Sequence, residues 1–351
     1  MKRYNLKSII LRALPMVLVG ISILSCSDWT DVEVKAPINK DVSERTPEYY
    51  EQLRAFKMSD HAVTFGWYGN WTGKGACLSN CLASLPDSTD FISLWGCWKN
   101  PSEDMKADLK YVQEVKGTRA MICWIVDNCG AQLTPASVFE LSEEDKKLSS
   151  AEQSVKIKQQ RHDFWGWKDG TTDEAKAAQK LAIEKYAEAI MDTINKYNYD
   201  GFDLDLETHW GAPGEISSSR ENLGIFSKAL AKELGPKSGT GRLLVVDCEP
   251  DFLPAEVGEM YDYFICQTYR ANSNSKLEMF YNKIVNNYKG VLTAEQCARK
   301  YIVTETFEEY ALTGGTNFTT ADGTRTKSLE GMALWNPVVN GKEVRKGGVG
   351  T

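Results

Sequence analysis

A chain of 351 residues that is 42% hydrophobic and 25% charged has ordinary globular composition, with length enough for one large barrel or two smaller domains. Its 41 basic and 48 acidic side chains leave a formal net charge of -7, the wrong sign for a protein that must present a basic face to nucleic acid. Neutral glycans stay compatible with that balance.

The chain begins with Lys2, Arg3 and Lys7, followed by an apolar run from Ile9 to Leu24 that Arg12 and Pro15 interrupt. A basic start, a short apolar centre and small residues before a cut site describe an export signal over residues 1–25, too short and broken to span a bilayer; a signal-anchor helix is the alternative. Ile23-Leu24-Ser25-Cys26 resembles the lipobox of bacterial lipoproteins. That resemblance implies cleavage before Cys26 and acylation of its thiol, which would hold the domain in the cell envelope, on the outer membrane of a Gram-negative bacterium. The periplasmic and external faces both stay open. Residues 26–45 read as a polar tether.

Thr46-Pro47 predicts a short helix to about Lys57, with proline at its first position. Strand-like runs then recur at 62–68, 90–98, 118–126, 199–207, 243–248, 261–269, 301–306 and 331–335. Between the third and fourth, residues 173–197 predict a helix whose apolar face is Ala175, Ala178, Ala182, Tyr186, Ile190, Ile194 and Tyr197, with Thr171 and Glu174 at the spacing of a capping box. Eight strands joined by crossovers predict an α/β protein, a (β/α)8 barrel filling residues 46–351. The eighth helix is not evident, since only a glycine-rich tail follows Trp335. The 128–172 connection is long for a βα loop; helical pieces are expected over 140–160, and the cluster from His162 to Trp167 is expected to overhang the site.

Apart from Cys26 there are eight cysteines. In an exported protein Cys77 and Cys81 form a candidate short-range disulfide. Cys97, Cys123, Cys248 and Cys266 fall within apolar runs, where a free thiol packs as a small hydrophobe. No pair has the spacing of a zinc site.

The most informative stretch is Tyr199-Asp200-Gly201-Phe202-Asp203-Leu204-Asp205-Leu206-Glu207. On a strand of period two, Asp203, Asp205 and Glu207 share one face while Phe202, Leu204 and Leu206 share the other. A water-facing strand and a cation site are the competing readings. Like charges along one face repel, and Asp is a poor strand former, which argues against the first. Against the second, no calcium-type loop is present and the three histidines are scattered, so no metal or cofactor is expected. Packed acids that raise one another's pKa are what general acid chemistry at neutral pH requires.

Asp200 through Glu207 resembles the DGxDxDxE signature of glycoside hydrolase family 18, the chitinases and endo-β-N-acetylglucosaminidases. The resemblance covers roughly Ala62 to Trp335. The run ending Gln267-Thr268-Tyr269 looks like the family's sixth strand, and Gly331-Met332-Ala333-Leu334-Trp335 like its eighth. Substrate-assisted, retaining hydrolysis is implied. Glu207 would be the general acid, its pKa raised by the charge of Asp205. Asp205 would orient the substrate's acetamido group and stabilise the oxazolinium that forms when the acetamido oxygen attacks the anomeric carbon; Asp203 would tune Asp205. By the same resemblance Tyr269 would donate its hydroxyl to the attacking carbonyl, Gln267 would bind sugar, and Trp335 would floor the subsite. Trp67 and Trp95, near the ends of the first two strands, are further candidate platforms.

Leu206 before the catalytic Glu, Gln267-Thr268-Tyr269-Arg270 on strand six and a modest segment between 306 and 331 lean toward the endo-β-N-acetylglucosaminidase branch over the chitinases. Strand three, Met121-Ile122-Cys123-Trp124-Ile125-Val126, lacks the family's Ser-x-Gly-Gly. The expected partner is a glycan or glycoprotein substrate, met by a monomer on a lipid anchor. The rival class is a non-catalytic glycan-binding lipoprotein on the same barrel, which would have no use for Glu207.

Overall fold

The computed structural model describes residues 45–75, 77–209 and 213–351. The expected signal peptide, the lipidation site at Cys26 and nearly all of the tether lie outside them. The fold below is that of residues 50–351, one compact unit.

Eight parallel strands close a barrel: β1 (Val63–Tyr68), β2 (Phe91–Trp95), β3 (Arg119–Ile125), β4 (Gly201–Leu206), β5 (Leu243–Cys248), β6 (Tyr263–Cys266), β7 (Tyr301–Thr304) and, after two small hairpins, β12 (Gly348–Gly350). The hairpins are β8 (Asn317–Thr319) with β9 (Arg325–Lys327), and β10 (Val338–Val339) with β11 (Lys342–Glu343). The second turns on Asn340-Gly341, both at positive φ, as the tightest hairpins require.

Alternation along each strand divides the side chains between two apolar layers. Val63, Phe65, Phe91, Met121, Leu243, Val245, Ile265 and Ile302 fill the lower interior of the barrel. Phe202, Leu204 and Leu206 turn outward into the larger core between sheet and helices. The Phe202 ring there meets Trp124 edge-on at 4.7 Å and Phe226 at 6.3 Å. Gly201, at the base of β4, has no alternative: a Cβ would lie 2.2 Å from the carbonyl oxygen of Leu243 on the neighbouring strand.

Helix Asp173–Tyr197 forms over the predicted residues, and its buried line includes Ala175, Ala182, Tyr186, Ile190 and Ile194. Its cap is Thr172 rather than Thr171, the side chain accepting from the Ala175 amide at 3.2 Å. Helix Pro47–Lys57 also matches its expected bounds.

The eighth strand corrects the sequence reading. Residues 331–335 belong to, or directly follow, helix Ser328–Leu334. Gly331, Met332 and Trp335 are buried while Ala333 and Leu334 are exposed, a helical rather than alternating pattern. The barrel is instead closed by the glycine-rich tail, with Val63 and Ile302 both registered against Gly348. A Cβ on Gly348 would sit 2.3 Å from the Val63 carbonyl oxygen. Backbone pairing and close approach define this strand, so hydrophobic periodicity does not mark it.

Two further expectations change. Cys77 and Cys81 are free thiols, as are the other described cysteines. The 162–167 cluster, itself part of the long β3 connection, packs inward: His162, Trp165 and Trp167 are buried. His162 is buried with Nε2 2.5 Å from Glu215 Oε1, and Trp165 packs edge-on to Tyr186 while donating to Thr134. The helical pieces expected within 140–160 are present, chiefly as helix Ser150–Trp165.

Because Leu204 is wholly buried on the outward face of β4, Leu204→Ala should cost about 2–5 kcal/mol of unfolding free energy, read from denaturant midpoints.

Candidate active site

The alternation that sends Phe202, Leu204 and Leu206 outward sends Asp203 and Asp205 into the barrel, with Glu207 just past the strand's C-terminal end. Asp203 is fully buried and accepts a 2.5 Å hydrogen bond from the Ser93 hydroxyl of β2. Burial pushes its pKa up to about 6, against the pull of the hydrogen bonds from Ser93, Cys123 and Trp67. Asp205, one layer higher and 2% exposed, is pushed up to about 8 by burial and then by the charges of Glu207 and Asp203. Glu207, half-buried at the rim, is also raised.

The cause of the Glu207 shift differs from the expected one. Burial leads, followed by the charges of Asp127 and Glu249, with Asp205 not among them. Asp205 itself favours its neutral form in the unliganded cluster, and a neutral carboxyl contributes no charge to its neighbour. Asp127 follows β3, and its carbonyl accepts from the Ile216 amide at 2.8 Å, which ties the β3 and β4 connections together. Glu249 follows β5 and receives the Thr208 amide at 2.7 Å and His209 Nδ1 at 2.6 Å. Glu249 therefore fixes the residues immediately after Glu207, and Asp127 a later part of the same connection.

A third interior acid was not anticipated. Asp247 lies in register with Asp205 across the β4–β5 pair, is fully buried, and accepts from Gln267 Nε2 at 3.3 Å. Its alternation with Leu243 and Val245 was readable, but one acid at the end of an apolar strand lacks the repetition that distinguishes β4. Ser93 and Asp127 carry even less local signal, since each depends on a partner more than 80 residues away.

The aromatic expectations divide. Tyr269, just past β6 and 37% exposed, meets Trp67 edge-on at 6.4 Å. Burial, then the charges of Asp247 and Asp205, push its hydroxyl pKa up, so it keeps its proton. Trp67 lies close enough to Asp203 to hydrogen-bond it. Trp95 ends β2 on the inward face shared with Phe91 and Ser93 and is 43% exposed at the mouth. Trp335 is the correction: it is 6% exposed and packs edge-on against Tyr301 at 5.9 Å in the outer core. Helical placement of its segment, rather than a place on a barrel strand, takes it out of the mouth.

Among the described residues two sets each bring three ligand atoms within 4.8 Å of one another: Cys123 with Asp203 and Asp247, and Asp205 with Glu207 and Cys248. Each joins a soft thiol, held protonated by burial, to hard carboxylates that also favour protons. That donor set suits no one class of ion. What the arrangement does supply is an acid at the rim with a raised pKa, anion-capable carboxyls beneath it, and hydroxyl and amide donors beside them.

A family model described as glycoside hydrolase family 18, BT1044-like, matches residues 30–351. The chain belongs to glycoside hydrolase family 18. Among solved structures, selenomethionine BT1044 with a glutamate-to-glutamine substitution is 33% identical, with a TM-score of 0.66 over 87% of this chain and 86% of that one. The endo-beta-N-acetylglucosaminidase of Cordyceps militaris shares the fold at 21% identity and a TM-score of 0.54, over 88% of this chain and 86% of that one. Endo-beta-N-acetylglucosaminidase F2 of Elizabethkingia meningoseptica is 27% identical over 235 residues, 63% of this chain but 55% of the relative. The chain thus aligns with about half the length of that protein.

The buried acids give this family 18 barrel a pH signature. Folding raises the Asp205 pKa from 3.8 to about 8, so it favours the neutral carboxyl. The stability that results is complete in acid and is lost as pH rises through about 8. Asp205→Asn should remove that dependence: urea titrations between pH 4 and 8 should show wild type losing stability relative to the variant as pH increases.

Proposed function

We propose that this protein is an endo-β-N-acetylglucosaminidase that cuts the GlcNAc–GlcNAc core of N-glycans by substrate-assisted, retaining hydrolysis. The observation that carries the reading is Glu207, half-buried with a raised pKa at the barrel mouth, directly above Asp205 and Asp203. Membership in family 18 and the similarity to F2 and BT1044 support it.

In this reading Glu207 arrives protonated and gives its proton to the departing glycosidic oxygen, as a general acid must. The substrate's acetamido oxygen attacks the anomeric carbon, forming an oxazolinium and sparing the protein a nucleophile. Asp205, as its anion, accepts from the acetamido N–H and faces the developing positive charge; Asp203 lies below it. The Tyr269 hydroxyl, kept protonated by its surroundings, donates to the attacking carbonyl. Glu207, now ionised, takes a proton from the incoming water, and attack from the leaving-group face restores the original anomeric configuration. Trp67 and Trp95 are the sugar platforms, offering apolar ring faces to C–H groups, and Gln267 is held toward the mouth by Asp247.

We further propose that acyl chains on Cys26 hold the enzyme on the outer membrane of a Gram-negative envelope, where it works as a monomer on glycoproteins. The Ile23-Leu24-Ser25-Cys26 sequence supports the anchor.

Glu207→Gln should retain glycan binding and fold while losing on the order of a thousandfold in turnover. Mass spectrometry of an N-glycopeptide digest should find a single GlcNAc left on the peptide, and an analogue without the 2-acetamido group should be inert. Equal release by wild type and variant, or hydrolysis of that analogue, would overturn the reading. Cys26→Ser should abolish incorporation of labelled fatty acid and move the protein from the membrane to the soluble fraction.

A further inference from the structure

Asp247, buried at the mouth of the barrel, is an acid that this catalytic scheme leaves unemployed. Asp247 stands opposite Asp205 in the β4–β5 register, fully buried, at a depth where every side chain must account for its polar atoms. One of its oxygens, Oδ2, is used by Gln267 Nε2 at 3.3 Å. The other, Oδ1, is buried without a protein donor, and so is Asp205 Oδ1. Two facing carboxyls with orphaned oxygens cannot both be anions at this depth; a single proton between them satisfies both.

We propose that Asp247 is a positioning residue for the hydrolytic reaction: it retains its proton and, once substrate binds and Asp205 ionises, donates a hydrogen bond to the Asp205 carboxylate, holding it as the anion presented to the substrate's acetamido group. The inference rests on the substrate-assisted reading above.

The asymmetry of the pair comes from its surroundings. Asp247 faces Asp203 and Asp205 from β4 and Cys123 from β3, with Cys266 and Tyr269 beyond it on the β6 side and Cys248 next on its own strand. None of these is a cation. Burial and the two neighbouring acids raise the Asp247 pKa well above the carboxylate range, and the contact between the pair lowers Asp205 while raising Asp247. The proton therefore belongs on Asp247. Asp205, nearer the mouth, is the member left free to ionise when substrate brings a positive charge to it. The backbone supports the placement: Cys248 takes a φ of 66°, uncommon for a residue with a side chain, and turns the chain sharply after Asp247 so that Glu249 can hold the loop beyond Glu207.

The Gln267 contact makes the proposal separable from a plain packing role. In Asp247→Asn the amide oxygen takes the Gln267 donor, which leaves the NH2 facing Asp205. A neutral donor is kept and the titrating proton is lost. Asp247→Leu keeps the branching at Cγ, at the cost of some added bulk, and removes the donor. The test is the pH profile of kcat and KM on a glycopeptide for wild type, both variants and Glu207→Gln, with thermal melts as a folding control. Asp247→Asn should keep kcat within about threefold. Asp247→Leu should lose on the order of a hundredfold in kcat with KM little changed, the scale of a lost charge-stabilising donor. Its acidic limb should also move to higher pH, because Asp205 has lost the bond that favours its anion.

An Asp247→Leu enzyme with wild-type kcat and an unmoved acidic limb would overturn the proposal. So would Asp247→Asn as inactive as Asp247→Leu, which would assign the role to a carboxylate charge. A second measurement needs neither turnover nor a stable leucine variant: infrared titration should show protonated-carboxyl intensity at neutral pH that falls by one carboxyl in Asp247→Asn, and an undiminished band would refute the proton assignment. Wild-type inertness toward N-glycans would defeat the functional reading alone, leaving the infrared result to decide Asp247.

Discussion

Placing several carboxyl groups in a space that water does not reach is the constraint on which this structure depends. Ionising one of them costs the solvation that bulk water would have given, and each further ionisation is opposed by the charge already present. Asp203, Asp205 and Asp247 occupy that space with hydroxyl, thiol and amide donors but no cation among the groups that shift their pKa values. Protons are therefore retained where ordinary acids would have lost them. A site that must supply a proton at its rim and accommodate positive charge beneath it is stocked for both tasks by the same desolvation.

The scaffold makes the arrangement possible by separating its layers. Large apolar side chains plug the lower barrel, so the acids have a dry floor. The outward side chains of the same strands anchor the sheet to the helices, and this rigid surround keeps like charges from moving apart. At the rim, Asp127 and Glu249 have two functions at once. Their carbonyl or carboxylate oxygens secure the loop after Glu207, and their charge favours its protonated form.

How much of this was written in the sequence depended on whether the signal was local. The Phe202 to Glu207 alternation declared both faces of β4 within a few residues, and seven barrel strands and the long helix were legible from periodicity alone. Features defined by distant partners were not. Asp247 gains its meaning only from Asp205 across the sheet, and Ser93 only from Asp203. The stretch from Gly331 to Trp335 is too short for its apolar residues to separate strand from helix, and its buried positions decided for helix once packing was known. Trp335 was misplaced with it. Thr171 and Thr172 offered equivalent caps one residue apart, a choice that only the backbone geometry resolves.

The closing strand has a bearing on how the protein reaches its folded state. Gly348 pairs with Val63 on one side and Ile302 on the other, so the seam joins segments from opposite ends of the barrel sequence. Seven strands are synthesised before the segment that completes the ring, and until it docks β1 and β7 present unpaired backbone edges. A seam of such high sequence separation forms late and slowly. With two glycines in its three residues, it gains little from side-chain burial to draw it into place. The growing chain is thus exposed to strand exchange with its neighbours for nearly the whole of its synthesis, and shielding of those two edges during biogenesis becomes a requirement set by topology rather than by the chemistry at the mouth.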